Sequence, residues 1–330
     1  MGTPDPREVV AEGKLLDAVV NYASEPDRSI PYTGDPDAWI EVEGERIAHF
    51  APDDSANLDA VTVASFGREW KKFNTFTEKD ITRIGDEYFD VVDEEGFSPE
   101  TVALDLGCGS GRWSRYLAPK VGFIEAVDPS EAVVAAQALT GDLDNVRVTR
   151  AGVNNLPFAD HSFDFIFSLG VLHHLPDTGT ALSTATRKLK PGGTFLLYLY
   201  YALDNRGPGY KLVFHISNLA RRVVSRLPAT LKEWVCDAIA LVFYVPLAGF
   251  ARMVRIVLGK KLFEKVPLHY YADKSLWVMR NDALDRFGTP LEHRFTREAI
   301  SDMMKNAGLH DVKFSEAAPY WHAVGRKTDS

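Results

Sequence analysis

Three glycines at alternate positions, Gly107, Gly109 and Gly111, follow a short apolar run. Glycines at the end of a strand let the backbone turn tightly and approach a ligand closely. The N-terminus of a helix that follows favours a negatively charged group. A dinucleotide-binding loop needs the pattern G-x-G-x-x-G, but the last glycine position of that pattern holds Arg112 or Ser114. The sequence therefore predicts a ligand-binding glycine loop and disfavours NAD and FAD.

An acidic residue, Asp128, ends a second apolar run 21 residues after Gly107 and is followed by Pro129. A carboxylate about 20 residues past a glycine loop is placed to accept hydrogen bonds from ribose hydroxyls. Several nucleoside-containing cofactors share this need, so Asp128 indicates a ribose without identifying the cofactor.

Short apolar runs alternate with helix-like stretches around these residues. Strands are predicted at 101–106, 123–128, 146–149, 163–168 and 194–200, with helices at 111–117, 131–138 and 178–189. A turn is predicted at 190–193 before the fifth strand. Apolar strands that alternate with helices form a parallel sheet covered on both faces.

The chain divides into four predicted parts. An irregular arm (1–64) holds a helix at 9–22, and the core spans 65–204. A mostly helical insertion covers 205–290, and the last part (291–330) completes the core with a helix that begins after Thr296 and two strands, 310–315 and 320–326. Gly308 is predicted to end that helix.

The insertion combines an apolar run with positive charge. Residues 205–275 hold twelve Lys or Arg and four Asp or Glu, a net charge of +8 in a chain whose net charge is −9. The longest apolar run, 238–251, is shorter than the ~20 residues that span a bilayer, and Pro246 is predicted to interrupt it. Three alternatives follow: a surface that contacts a membrane, a cap over an anionic substrate, or a helical subdomain buried internally or in a homodimer.

The motif from Asp105 to Gly111 resembles motif I of the class I S-adenosylmethionine (AdoMet)-dependent methyltransferases. Further segments resemble a bacterial group of these enzymes found among polysaccharide and small-molecule biosynthesis enzymes. The resemblance implies a Rossmann-like α/β fold with a mostly parallel, seven-stranded sheet, and AdoMet as cofactor with S-adenosylhomocysteine as product. The cofactor-binding residues that it implies are Asp105, Gly107, Cys108, Gly109, Gly111, Asp128, Pro129, Val153, Asn154, Ser168, Leu169 and Gly170. Gly152 and Asn154 depart from the family pattern, which commonly has Asp and Glu there, and this leaves the adenine contact open.

Aromatic residues at the start of the core suggest a cover for the site. By the same resemblance, Phe66, Trp70 and Phe73 form a lid over the cofactor, and Trp70 is predicted to contact it. The alternative is a helix that packs on the sheet.

Two adjacent histidines, His173 and His174, follow the fourth strand, near the expected methyl group. Imidazole titrates in the range that suits a general base, so one of them is a candidate for removing a proton from a hydroxyl acceptor; packing is the alternative role. Candidate acceptor-binding residues follow the fifth strand and the insertion: Tyr200, Tyr201, Asn205, Arg206, Arg280 and Arg286. The charged residues around Gly288 suit a polar acceptor or a salt-bridged loop.

These observations predict an enzyme that methylates an oxygen of a small-molecule, saccharide or lipid-linked acceptor. Two alternatives stay open: aminopropyl transfer on the same fold, which the basic insertion disfavours, and a catalytically silent AdoMet-binding interaction module. The acidic net charge argues against a nucleic-acid partner, and two distant cysteines predict neither a disulfide framework nor a metal site. The polar first 17 residues predict a cytoplasmic protein, either free or peripheral on a membrane.

Overall fold

The computed structural model describes residues 29–42, 44–52, 57–72, 77–205 and 207–328. Nine strands of this part of the chain form one sheet in the order β1-β2-β5-β4-β3-β6-β7-β9-β8. The strands are β1 (Ala38–Val42), β2 (Glu45–His49), β3 (Val102–Leu106), β4 (Phe123–Asp128), β5 (Val146–Arg150), β6 (Phe163–Leu169), β7 (Leu189–Tyr198), β8 (Leu309–Phe314) and β9 (His322–Lys327).

The centre of the sheet is parallel, from β2 through β5, β4, β3 and β6 to β7. The strands β8 and β9 complete the other edge in antiparallel orientation. This is the predicted Rossmann-like α/β sheet, and its five central strands lie where the apolar runs place them. The seven-strand prediction is too small for this sheet, because the hairpin of β1 and β2 adds two more strands.

The hairpin comes from the arm that the sequence predicts to be irregular, and it pairs with the edge strand β5. Ala48 is opposite Thr149, and Phe50 donates its backbone N–H to the Arg150 carbonyl at 2.8 Å. An uncovered edge of a sheet presents unpaired backbone groups, and the hairpin pairs with the end of β5 at Thr149 and Arg150. The predicted helix at 9–22 lies outside the described residues.

The helices cover both faces of the sheet and form the insertion. They are α1 (Ala60–Lys72), α2 (Glu78–Tyr88), α3 (Arg112–Leu117), α4 (Val133–Thr140), α5 (Thr178–Lys188), α6 (Pro208–Val224), α7 (Ala229–Ile239), α8 (Val245–Leu258), α9 (Lys260–Phe263), α10 (Leu276–Gly288) and α11 (Arg297–Asn306). The Thr296 hydroxyl accepts the Ala299 N–H at 3.1 Å and so begins α11 as predicted. Gly308, with φ +87°, follows the end of that helix.

Alternate residues of each central strand enter two apolar layers. Phe165 and Phe167 of β6 pack beneath α3 with Leu117, whereas Ile166 faces the opposite layer, where Leu182 of α5 lies. Burial on both faces explains why these strands are nearly continuous apolar runs. The parallel strands end at a common edge, and the loops there form the candidate site.

Two sequence predictions about local breaks are wrong. The turn predicted at 190–193 is an irregularity within β7, whose pairing with β6 shifts register there. Pro246 does not end a helix: α7 and α8 join through a widened turn, Ala240–Tyr244, into one helix from Ala229 to Leu258. The Val245 N–H reaches the Ala240 carbonyl across that turn, so the proline follows a backbone that is already irregular.

The joined helix also corrects the predicted length of the apolar segment. It has 30 residues, with a mean hydropathy of 1.8 in its most apolar window, of which 28% is buried. By length and composition alone, this helix is long and apolar enough to cross a membrane.

Candidate active site

The glycine loop lies between β3 and α3, as predicted, and its shape requires glycine. Gly107 has φ +82°, and a Cβ atom there would come within 2.4 Å of the Val171 side chain. Gly111 has φ +78° and lies against Ala136 of α4, where a Cβ atom would be 3.1 Å from the Ala136 backbone. Gly107 therefore permits close approach at the site, whereas Gly111 permits close packing of α3 on α4.

Asp128 ties the end of β4 to the glycine loop. Its carboxylate accepts the Gly109 N–H at 3.0 Å, and the Ser130 N–H and hydroxyl at 2.8 and 2.6 Å. Burial raises the pKa of this carboxyl above its ordinary value, while the bonds from Ser130 oppose the rise. A carboxylate has about four acceptor positions, so these three bonds leave room for one further donor. The prediction that both ribose hydroxyls bind Asp128 therefore requires one local bond to be shared or exchanged.

Asp105 is buried at the end of β3 and accepts a hydrogen bond from the Ser114 hydroxyl at 2.7 Å. Burial raises the pKa of Asp105 to about 7, with the hydrogen bond from Ser114 acting against the rise and the neighbouring Asp128 adding to it. Asp105 thus links β3 to α3 beneath the loop.

An open cleft lies beside the loop. The residues that line it are Asn57, Leu58, Leu106, Gly107, Val127, Pro129, Ala151, Gly152, Val153, Asn154, Asn155, Val171, Leu172 and Leu175. Mostly apolar walls with a few polar groups are typical of a small-molecule site. The cleft contains the predicted Gly107, Pro129, Val153 and Asn154. Sequence reasoning missed Asn57 and Leu58, because they precede α1 in a stretch without a motif.

Several predicted cofactor residues point elsewhere. The Cys108 side chain is buried in an apolar cluster with Val133 and Ala136, so only its backbone faces the loop. Ser168 is buried and donates to the Leu106 carbonyl at 2.9 Å, which links β6 to β3. Leu169 packs in the core. Gly170, with φ +80°, lies against the Tyr198 ring.

The predicted lid residues are partly described. Phe66 on α1 lies with its ring centroid 4.8 Å from that of His174. Gly67 of the same helix approaches the start of α4, where an added Cβ would be 3.3 Å from the Glu131 N atom. Trp70 lies in α1, but its side chain falls outside the described residues, as does Phe73. The described part of α1 therefore lies across the end of the sheet, next to the histidines.

The two histidines lie in a short 3-10 turn, Leu172–His174, whose first residue also lines the cleft. His174 Nδ1 is 2.8 Å from the Leu291 carbonyl oxygen. A carbonyl can only accept, so Nδ1 carries the proton and Nε2 keeps a lone pair in the neutral ring. Burial lowers the pKa of His174, which keeps the ring neutral near pH 7.

His173 differs from its neighbour. It is fully buried, its ring centroid lies 3.9 Å from that of Tyr200, and neither ring nitrogen has a hydrogen-bond partner in the described part of the chain. Burial lowers the pKa of His173 well below the ordinary value, so it remains uncharged. This environment suits packing more than proton transfer.

A polar and aromatic cluster adjoins the histidines where β7 ends. The Tyr200 hydroxyl donates to Asp285 Oδ2 of α10, while Asp285 Oδ1 is buried and has no hydrogen-bond partner among the described residues. Burial raises the pKa of Tyr200 and of Asp285. Tyr198 and Tyr88 extend the cluster, with ring centroids 5.1 Å apart. Asp285 is one of the charged residues around Gly288 that the sequence predicts to suit a polar acceptor or a salt-bridged loop, and the fold brings it to this edge on α10.

The cluster contains a second acidic residue, Asp282, one turn before Asp285 on α10. Burial raises the pKa of Asp282 to about 6, and the nearby Asp285 adds to the rise. Both carboxyls therefore line a poorly hydrated region beside three half-buried tyrosines.

The remaining predicted acceptor residues have structural partners or lie apart. Tyr201 packs near Tyr320 and Trp321, and Asn205 is exposed. Arg280 forms an ion pair with Asp237 at 2.6 Å. Arg286 bonds Glu292 at 3.0 Å, so the salt-bridged alternative applies to this pair. Arg206 lies outside the described residues.

Comparison with known proteins gives the family. The model of a family described as a methyltransferase domain matches residues 104–197, which include the glycine loop, Asp128 and both histidines. The chain therefore contains a methyltransferase domain at residues 104–197, and its relatives support the class I AdoMet-dependent methyltransferase family. It is an AdoMet-dependent enzyme, and AdoMet is its cofactor.

Named relatives of this methyltransferase cover different shares of it. It is 29% identical over 185 residues to the ubiquinone biosynthesis O-methyltransferase of Hahella chejuensis, covering 54% of this chain and 74% of that protein. It is 35% identical over 107 residues to the demethylmenaquinone methyltransferase of Staphylococcus aureus, covering 31% of this chain and 44% of that protein. The chain thus spans less than half of the second relative.

Among solved structures, human N-acetylserotonin methyltransferase in complex with AdoMet is similar at 15% identity, with a TM-score of 0.46 and coverage of 80% of this chain and 56% of that chain.

Proposed function

We propose that AdoMet binds in the cleft beside the glycine loop. The close packing at Gly107 supports this, because a side chain there would collide with the side chain of Val171. Ser110 Oγ in the same loop is buried without a hydrogen-bond partner among the described residues, so it has capacity for a ligand. In this proposal Asp128 binds the ribose, and Val153 with Asn154 lies against the adenine.

We further propose that the acceptor is a hydroxyl group of a small molecule, which is one of the three acceptor classes that the sequence predicts. The observation that carries this proposal is the tautomer of His174. Its Nδ1–H is held by the Leu291 carbonyl, and burial favours the neutral ring. A neutral imidazole with a free Nε2 lone pair is equipped to take a proton.

The cluster at the end of β7 supplies the surroundings of the acceptor. Tyr88, Tyr198 and Tyr200 present ring faces and hydroxyl groups together, a combination that suits an acceptor with an apolar or ring-shaped body and polar substituents. Asp285 holds the Tyr200 hydroxyl and so fixes the orientation of that ring. Asp282 and Asp285 would accept hydrogen bonds from further acceptor hydroxyls.

When bound, AdoMet supplies a methyl group that is already activated on a sulfonium. The protein then needs to align the acceptor oxygen, exclude water and remove one proton. His174 Nε2 takes the proton that the acceptor hydroxyl loses. Phe66 covers His174 and limits access of water to it. The name of the Hahella chejuensis relative includes O-methyltransferase, which agrees with methylation at oxygen.

The experiment that tests the proposal is incubation with methyl-labelled AdoMet and an extract of the host cell. The label is then separated into organic, water-soluble small-molecule and polymer fractions. We expect label in one of the two small-molecule fractions, at an oxygen as shown by mass spectrometry of the product. Label in the polymer fraction, or at carbon or nitrogen, would contradict the proposed acceptor. AdoMet binding without transfer from any extract fraction would favour the silent binding module.

A matched pair of variants separates binding from chemistry in the same assay. Asp128→Ala should weaken AdoMet binding in calorimetry by at least about tenfold and lower transfer at limiting AdoMet. His174→Asn should keep AdoMet binding and lose most of the transfer. Loss of binding in both variants would indicate a general folding defect and not a base at position 174.

A further inference from the structure

The orientation of α6 is the reverse of that expected for a helix on a soluble protein. Its large apolar residues Leu212, Ile216, Leu219 and Val223 follow one face at intervals of four, three and four residues, and each is between 62% and 65% exposed. The opposite face packs on the protein and combines the apolar Val224 with polar residues, among them Arg221, which donates to the carbonyls of Thr289 and Pro290 at 2.9 and 3.0 Å. Amphipathic helices of soluble proteins bury the apolar side.

The joined helix of α7 and α8 exposes a second apolar surface. Its packed side carries small residues, including Ala240, Ala248 and Ala251, which lie fully or almost fully buried. Its exposed side carries large ones, including Trp234 at 73% and Ile256 at 81% exposure. The exposed large apolar residues of this helix are Leu231, Trp234, Leu241, Val242, Phe243, Val245, Phe250, Met253, Ile256, Val257 and Leu258. We call this surface together with the exposed side of α6 the apolar face.

Large exposed apolar patches mark interaction sites. The positive charge of residues 205–275 indicates an anionic partner. Residues 205–275 carry a net charge of +8, while the rest of the chain carries −17. Exposed basic residues follow the apolar helices directly: Arg222 and Arg226 at the end of α6, and Lys261 with Lys265 after α8. An anionic surface would therefore attract this segment and repel the remainder of the protein.

Ion pairs between this helix and neighbouring elements favour a helix that lies on a membrane over one that crosses it. Asp237 of α7 pairs with Arg280 of α10, and Arg255 of α8 pairs with Asp273. A crossing helix would carry these charges, and the elements they bind, into hydrocarbon, where unsolvated charges are costly. A helix lying in the interface leaves the charges on the protein side and inserts only the apolar residues.

We propose that the apolar face of α6, α7 and α8 docks this protein on the surface of an anionic phospholipid bilayer. The basic residues at the helix ends contact the headgroups, and the large apolar side chains enter the boundary with the acyl chains. The helix α10 connects this surface to the candidate site, since it pairs with α7 through Arg280 and contributes Asp285 to the Tyr200 cluster. Docking therefore places the acceptor cluster near the bilayer.

The test is flotation of the full chain with phosphatidylcholine vesicles, with and without phosphatidylglycerol. We expect the protein to float with the anionic vesicles and to float far less with the neutral ones or at high salt. The variant Ile216→Glu/Ile256→Glu should reduce the partition coefficient by at least about tenfold, because two charges replace inserted apolar side chains. The variant Thr82→Glu/His310→Glu adds the same charges at exposed positions outside the apolar face and should float like the wild type.

A second readout follows Trp234. Anionic vesicles should shift its fluorescence to shorter wavelength, as seen in the difference between wild type and Trp234→Phe. Failure of the wild type to float with anionic vesicles would overturn the proposal. A second result would also overturn it: a wild type that does not bind vesicles but forms a stable dimer in sedimentation equilibrium, with Ile216→Glu/Ile256→Glu monomeric. The apolar face would then join two copies of the chain.

These outcomes are independent of methyl transfer. AdoMet affinity, measured by calorimetry without lipid, checks that the flotation variants are folded. Lipid binding with no detectable transfer would leave the docking proposal standing and the acceptor proposal contradicted.

Discussion

The replacement His174→Asn isolates the proposed base from the rest of the site. Asparagine places its amide nitrogen close to the position of the histidine Nδ1, so the hydrogen bond to the Leu291 carbonyl can be kept. The Nε2 lone pair is removed. The neighbouring replacement His173→Phe is the matched control, because His173 packs on Tyr200 and makes no hydrogen bond through its ring among the described residues.

The structure indicates the size of the effect. A positioned general base contributes about 10²–10⁴-fold to the rate, so His174→Asn should lower kcat by that factor, equivalent to about 3–5 kcal/mol in the barrier. Burial lowers the pKa of His174 below the ordinary value of 6.5, so the wild-type base is neutral at pH 7.5. Activity should therefore fall only when the pH drops below 6.5, as the ring becomes protonated.

The assay is the dependence of kcat on pH with labelled AdoMet and the identified acceptor. The wild type should lose activity on the acidic side, and His174→Asn should lack that limb. His173→Phe should stay within about tenfold of the wild type and retain the limb, because no nitrogen of His173 takes part. The reasoning is refuted if His174→Asn binds AdoMet normally and keeps wild-type kcat at every pH.

Three further changes test the cofactor site. Asp128→Ala should weaken AdoMet binding by at least about tenfold, since a charge-assisted hydrogen bond contributes about 1.5–3 kcal/mol; unchanged affinity in calorimetry would contradict the ribose assignment. Gly107→Ala should lower stability by about 1–3 kcal/mol, because a positive φ is strained for alanine and its Cβ would strike Val171. Thermal unfolding measures this loss, and adding Val171→Ala should recover part of it if the collision is real. Burial raises the folded pKa of Asp105 to about 7 from 3.8, so the folded state binds more protons at this group between these values. The contribution of Asp105 to stability should therefore be greatest below pH 4 and decline as the pH rises to 7. Urea unfolding across this range should show a flatter dependence for Asp105→Asn, and an unaltered slope would mean that Asp105 is not its source.

The sequence determined the parts of this protein that depend on local backbone chemistry. The glycine loop, its spacing to Asp128 and the alternation of strands with helices follow from neighbouring residues, because turns, strand ends and helix caps need particular residue types in short order. The same local logic placed Thr296 at the start of α11. The prediction from local sequence failed at Pro246, because the widened turn Ala240–Tyr244, which directly precedes α8, accommodates the proline.

The tertiary structure alone decided which distant residues meet. Tyr200 and Asp285 are 85 residues apart in sequence, and Arg280, a predicted acceptor residue, pairs with Asp237, which is 43 residues away. The spacing of the apolar residues in α6 shows that the helix is amphipathic. That spacing carries no information about which face of the helix packs on the protein. The chain places the Arg221 side inward because the carbonyls of Thr289 and Pro290 offer it acceptors there. Long-range partners of this kind depend on how the elements pack, and no residue near Arg221 in the sequence specifies them.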